Sequence, residues 1–142
     1  MKIITYPNPI LEKKSQNIKN PLDPKIQELI PKMITAMREN SGMGLAAPQV
    51  GESIRLCIIE HLGKTYVLIN PKITSHSTTK TTAEEGCLSF PGKFIPITRF
   101  EKVQVRYLNE KGEKCKIKAK DLFAKAFQHE IDHLDGILFI NR

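Results

Sequence analysis

His129 and His133 stand four residues apart near the end of the chain, with Glu130 beside the first, in the run QHEIDH. On a helix each residue turns about 100°, so the two imidazoles lie roughly 40° apart on one face, one turn above the other. Two ring nitrogens in that relation can grip one metal ion. Glu130, a further step round the helix, can reach a water on such an ion without ligating it, which is the arrangement of metal-assisted hydrolases. The alternative is a pair of ordinary helix-surface histidines, and a third ligand would decide between the two. Zinc peptidases of the HExxH kind place one downstream, but only LDGILFINR follows His133, with Asp135 its sole acid. The ligand must come from upstream. Cys87, in EEGCLSFPG, is the best placed by chemistry: Gly86 beside it permits close backbone approach, and a tight Pro91-Gly92 turn follows. A buried structural thiol is the competing reading.

These residues need elements to hold them. Asp23 followed by Pro24 reads as an N-cap and first helical position, and Ile26, Leu29, Ile30, Met33, Ile34 and Met37 then recur at helical spacing. The pattern predicts an amphipathic N-terminal helix, with a kink or a later start at Pro31 and a C-cap at Gly42. IRLCIIE and TYVLIN read as strands joined across HLGK, and KVQVRYL and EKCKIKA as a second hairpin around NEKG. The threonine-rich SHSTTKTTAEE between them suits strand or loop. Asp121 is expected to cap the final helix, which carries HExxH and ends near Gly136. The order helix, strands, helix predicts an α+β fold, with mostly antiparallel β-sheets packed around the C-terminal HExxH-bearing helix. No linker or repeat interrupts 1–142, so one catalytic domain is expected.

Composition bounds the partners. With 40% hydrophobic and 26% charged residues in 142, the chain can bury a core without disulfides. Its three cysteines are widely spaced and unsuited to a disulfide framework; Cys57, inside a strand, reads as core. The opening MKIITYPNPI has no apolar run of signal-peptide length, and no stretch could span a membrane, so a cytoplasmic protein is expected. The net charge of +7 invites nucleic acid as a partner. Yet Lys114, Lys116, Lys118 and Lys120 alternate with Cys115, Ile117 and Ala119, which describes a strand with one solvated face, and no aromatic residues interleave to stack on bases. Direct nucleic-acid recognition is therefore not expected.

Three stretches then fall into one pattern. GMGLAAPQ (Gly42 to Gln49), EGCLS (Glu85 to Ser89) and QHEIDH (Gln128 to His133) resemble the three motifs of the peptide deformylase family, complete and in that family's order, and YPNPIL (Tyr6 to Leu11) is similar to its start. The resemblance implies an enzyme that removes the formyl group from the N-terminal methionine of nascent polypeptides, releasing formate. It implies Cys87, His129 and His133 as metal ligands and Glu130 as general base. Gln49, through its side-chain amide, and Leu88, through its backbone N–H, would be donors to the reacting carbonyl oxygen. It further implies Fe(II) as the ion, replaceable by zinc or nickel; the ligand set itself also suits cobalt. Gly44 and Gly86 would let an extended peptide approach; Met43, Leu122 and Ala126 would surround its methionine, unless they are ordinary core. Arg99 matches an arginine that helps bind substrate in that family, with a surface salt bridge as the other reading. Gln128 and Glu85 are candidates for orienting the ligands. Many bacterial members continue into a C-terminal helix where this sequence closes on GILFINR, which leaves ribosome association with little support. A zinc peptidase and a catalytically silent peptide binder are the rival readings.

Overall fold

Asp23 accepts a hydrogen bond from the Lys25 N–H at 2.9 Å, and Pro24 presets the first helical φ, so α1 (Pro24–Glu39) starts where the sequence places it. It runs straight past the position expected to delay its start. Pro31 and Gln27, the residue whose carbonyl loses its helical partner, are both exposed, so water can take that bond. The end differs from expectation too. Ser41, not Gly42, takes the left-handed conformation (φ 56°), and the N–H groups of Ser41 and Gly42 close back on the carbonyls of Arg38 and Met37 at 3.1 and 2.9 Å. Gly42 is small for another reason: a Cβ there would sit 2.7 Å from Leu88 Cδ1.

The computed structural model describes residues 1–142, with seven strands between α1 and α2 (Asp121–Leu134). These are β1 (Gly44–Ala46), β2 (Leu56–His61), β3 (Lys64–His76), β4 (Lys80–Cys87), β5 (Phe90–Phe100), β6 (Lys102–Leu108) and β7 (Lys114–Lys120). Five form an antiparallel sheet in the order β1-β2-β3-β6-β7, and β4 and β5 pair antiparallel as a separate ribbon. Both hairpins expected from the sequence are present. Leu62 (φ 50°) and Gly63 (φ 76°) make the tight β2–β3 turn with the twist that hairpins favour.

Alternation along the strands divides the apolar residues between the two helices. Leu56, Ile58, Val67 and Ile69 meet Ile30, Met33 and Met37 of α1 on one face; Cys57, Ile59, Leu68 and Val105 meet Phe127 and Ile131 of α2 on the other. Each large aliphatic side chain buried this way contributes about 1.5–3 kcal/mol of transfer free energy. Helix α2 thus lies against the sheet along its length, and all its residues from Ala124 to Leu134 are buried. Asp121 does not cap it as expected. The chain turns from β7 into α2 without a loop, Lys120 is the capping residue, and the corner falls on Asp121 itself, at φ 55°, with its N–H donating to the Glu101 carbonyl at 2.9 Å. Aspartate tolerates that left-handed backbone better than most residues. No helix is long and apolar enough to cross a membrane.

Candidate active site

Within the β4–β5 ribbon, β5 supplies Phe90 and Ile97 to a small apolar cluster with Leu11, Leu138 and Phe139, while β4 contributes no buried residue. The ribbon's tip docks on the buried helix α2, and there Cys87, His129 and His133 come together. Their ligand atoms all lie within 4.8 Å of one another, and Cys87 Sγ is 3.3 Å from His133 Nε2. The third ligand that the sequence sought upstream is therefore in reach of both imidazoles. One thiol and two imidazoles form a donor set that suits zinc, ferrous iron, nickel or cobalt, so the residues fit a divalent cation.

The surrounding charges are paired with care. Glu85 Oε1 lies 2.9 Å from His129 Nδ1, which fixes the ring and leaves Nε2 for the cage. Arg99 grips both oxygens of Glu85 at 2.6 and 3.0 Å and reaches Asp132 at 2.9 Å; Arg142 holds the same Asp132 at 2.5 and 2.9 Å. Burial alone would raise the Glu85 pKa, but its bonds to His129 and Arg99 prevail and hold it at about 2. Burial likewise opposes charge on His129, yet Cys87 and Glu85 outweigh it and lift its pKa to about 10. A cation in the cage would compete for that same nitrogen, since ligation needs neutral imidazole. His133 is pushed the other way, well below its usual value, first by burial and then by the positive neighbours His129 and Arg99. Burial also drives Glu130 up to about 7, in the range where a carboxylate can both take and return a proton near neutral pH. Its Oε1 and the Nδ1 of His133 are buried without a partner.

A cavity of about 590 Å³ opens on this centre. Met43, Gly44, Gln49, Leu122, Ala126 and Glu130 line it, together with Gly86, Cys87 and Leu88. Gln49 is nearly fully buried and cannot swing: its Oε1 accepts from the Ala46 N–H at 2.9 Å, and its Nε2 donates to Ser89 Oγ at 3.0 Å and lies 3.7 Å from Cys87 Sγ. Ser89 passes the chain on to the Ile4 carbonyl at 2.7 Å, so the N-terminal segment helps fix that amide. Leu88 sits in the two-residue turn between β4 and β5, where its N–H takes part in none of the turn and loop hydrogen bonds.

Two expectations need revision, those for Arg99 and Gln128, and two glycines that line the cavity also answer to protein neighbours. Arg99 does not line the cavity; it is 4% exposed behind the cage, with its guanidinium engaged by two carboxylates, so it positions Glu85 and is not a substrate contact. Gly44 faces the catalytic helix: a Cβ there would collide with Glu130 Oε2, so its absence seats the carboxylate. A Cβ at Gly86 would meet the Phe94 ring at 2.7 Å, so this glycine too answers to a protein neighbour. Gln128 touches no ligand; its amide bonds the Phe100 N–H and carbonyl at 3.0 and 2.8 Å, clamping β5 to α2. Sequence reasoning also passed over Ser89, Asp132 and Arg142. An acid inside the buried stripe of a helix, as Asp132 is, was the available signal that a cation must pack behind it.

A thiol and two imidazoles around one point, a carboxyl poised to exchange protons and an open apolar cavity define a mononuclear metal-dependent hydrolase. Comparison with known proteins narrows the class. The family model described as Polypeptide deformylase matches residues 1–142, and the chain belongs to that family. A peptide deformylase of Desulforudis audaxviator is 43% identical over 141 residues, 99% of this chain and 91% of that one. Among solved structures, the peptide deformylase of Thermotoga maritima superposes with a TM-score of 0.96 at 38% identity, covering 99% of this chain and 95% of that one. A deformylase of Synechococcus elongatus, solved with actinonin, gives 0.96 at 35%, covering 100% and 78%. The protein is a metal-dependent deformylase, acting on formylated nascent peptides.

Proposed function

We propose that residues 1–142 work as one catalytic unit in the cytoplasm, in which Cys87, His129 and His133 hold the metal ion, Glu130 is the general base and Gln49 and Leu88 stabilise the oxyanion. The observation that carries this reading is the convergence of Cys87, His129 and His133 on one point beside a cavity that Gln49, Leu88 and Glu130 also line. A divalent ion bound there supplies a Lewis acid and lowers the pKa of a water from 15.7 to about 7. Glu130 takes the proton as the water oxygen bonds to the formyl carbon, and returns it to the peptide nitrogen as the carbon–nitrogen bond breaks. Formate and a free N-terminal amine are the products. The Gln49 amide, clamped by Ala46 and Ser89, donates to the carbonyl oxygen while negative charge develops on it, and the Leu88 N–H donates beside it.

β1 is the edge strand of the five-stranded sheet, bonded on one side only, and Gly44 within it lines the cavity. An extended peptide can add to that edge by backbone pairing while Met43, Leu122 and Ala126 enclose the methionine side chain. Leu122 is 58% exposed and so has apolar surface free to bury on binding. Fe(II) is the ion we assign, with zinc, nickel or cobalt able to occupy the same donors. The substrate is a formyl-methionyl chain still at or near the ribosome.

The deciding experiment is formate release from a formyl-methionyl tripeptide by anaerobically prepared, iron-loaded protein, with the unformylated peptide alongside. Formate at a rate that disappears with chelator and returns with Fe(II) is expected. Internal cleavage of the unformylated peptide, or binding without formate, would overturn the reading.

A further inference from the structure

The five-stranded sheet is covered unevenly. On the face that packs on α1, β1, β2 and the first half of β3 are buried, but the apolar cluster there takes only Leu108, at the end of β6, and nothing from β7. Residues of β6 and β7 on this side are Lys102, Gln104 and Arg106, paired with Lys120, Lys118 and Lys116, and Lys72 of β3 stands opposite Arg106. Cations therefore face cations across the strands, in the rows Lys72–Arg106–Lys116 and Lys102–Lys120. Like charges directly opposite one another are destabilising. None of these residues takes part in an ion pair, all the cations are exposed, and neither β3, β6 nor β7 contains an acid.

Protection of a sheet edge accounts for lysines on β7, the outermost strand. It does not account for Lys72, Arg106 and Lys102, which lie on interior strands. The sequence-based expectation of no nucleic-acid recognition rested on β7 alone, because cross-strand register cannot be read from a single chain segment. We propose that this basic face of β3, β6 and β7 docks the phosphodiester backbone of RNA, without reading its bases.

Three observations select that partner. Successive cations along β7 repeat at two strand rises, about 6–7 Å, which is the scale of the spacing between neighbouring phosphates on a nucleic-acid strand. A depression of about 470 Å³ between Ser75, Lys102, Lys118 and Lys120 offers hydroxyl and ammonium donors together, a combination suited to a phosphate group, while the Ser77 hydroxyl beside it already donates to the Thr79 carbonyl at 2.8 Å. The exposed large apolar residues, Met1, Tyr6, Leu22, Leu62, Phe94 and Leu122, all lie elsewhere, so the face has nothing to insert into a lipid surface. RNA is preferred to DNA on the functional reading proposed above, since a nascent chain is held by an RNA-rich particle.

The test uses the metal-loaded enzyme and a fluorescent RNA hairpin of arbitrary sequence, titrated by anisotropy at several salt concentrations. The triple variant Lys116→Glu, Lys118→Glu, Lys120→Glu lowers the formal charge from +7 to +1, two units per substitution; so does the control Lys13→Glu, Lys14→Glu, Lys19→Glu, also at exposed positions. The β7 variant should lose at least about thirtyfold in RNA affinity at low salt, and its log–log salt slope should fall by about 3. The control should keep the wild-type slope, and both should release formate from a free peptide at the wild-type rate. Two of the changes place Glu opposite Arg106 and Lys102, so the fold is not put at risk. Equal losses in the two variants, no RNA binding by the wild type, or binding to phosphatidylserine vesicles but not RNA would each overturn the proposal. Absence of formate release with RNA binding intact would count against the catalytic reading alone.

Discussion

The two sheets reach the metal-binding cluster by different physics. The five-stranded sheet presents α2 through a continuous apolar contact: Cys57, Ile59, Leu68 and Val105 meet Phe127 and Ile131, and the histidines ride on a helix that cannot shift without opening the core. The β4–β5 ribbon shares only a smaller apolar cluster, Phe90 and Ile97 with Leu11, Leu138 and Phe139, and is tied to α2 by polar contacts, namely the Arg99 fork to Glu85 and Asp132 and the Gln128 clamp on Phe100. The half that carries the histidines is held by burial, and the half that carries the sulfur by a small apolar cluster and charge together. The α2 half carries the nitrogens and the proposed general base; the ribbon carries the sulfur. Metal affinity and fold stability should therefore respond separately to mutation.

Substitutions can break or sharpen this contrast. Glu130→Gln keeps the shape of the helix face and removes only the proton acceptor; turnover should fall about a hundredfold to ten-thousandfold while metal content, read by elemental analysis, stays at the wild-type level. Arg99→Met leaves Glu85 without its guanidinium and Asp132 with Arg142 alone, and should cost about 3–5 kcal/mol in urea unfolding, together with weaker metal retention. Ile59→Ala, on the apolar side, should cost a similar 2–5 kcal/mol yet leave the metal affinity of the folded protein unchanged. If Ile59→Ala sheds metal as readily as Arg99→Met, the division between the two halves fails. Gln49→Leu removes the proposed oxyanion donor and should cost about a hundredfold to a thousandfold in turnover; near-normal turnover would refute its role. Glu85→Gln should weaken metal binding by about tenfold to a hundredfold in a chelator competition. Arg142→Ala is the smallest: the side chain is 44% exposed and Arg99 still pairs Asp132, so about 1 kcal/mol or less is expected.

What could be read from the sequence follows the same line. The histidine spacing, the glutamate and the apolar stripe of α1 are local patterns, and local patterns survive in one dimension. The β2–β3 and β6–β7 hairpins were legible because their turn residues lie between the strands they join. Cys87 could be nominated but not placed, since nothing local fixes how a ribbon docks on a helix forty residues away. The direction in which Arg99 points, the seat that Gly44 leaves for Glu130 and the cation rows of β6 and β7 all depend on register or tertiary contact. Each was misread or missed for that reason. The left-handed corners at Ser41 and Asp121 went unseen because non-glycine residues rarely adopt them.

The missing side chain at position 44 bears on any attempt to re-engineer what the enzyme accepts. The same small stretch lines the cavity and cushions the carboxylate proposed to perform the chemistry. Remodelling that wall to admit a bulkier first residue therefore disturbs the proton carrier, so selectivity and speed are coupled on this side. Leu122, across the opening and free of such double duty, is where a library for altered preference should begin.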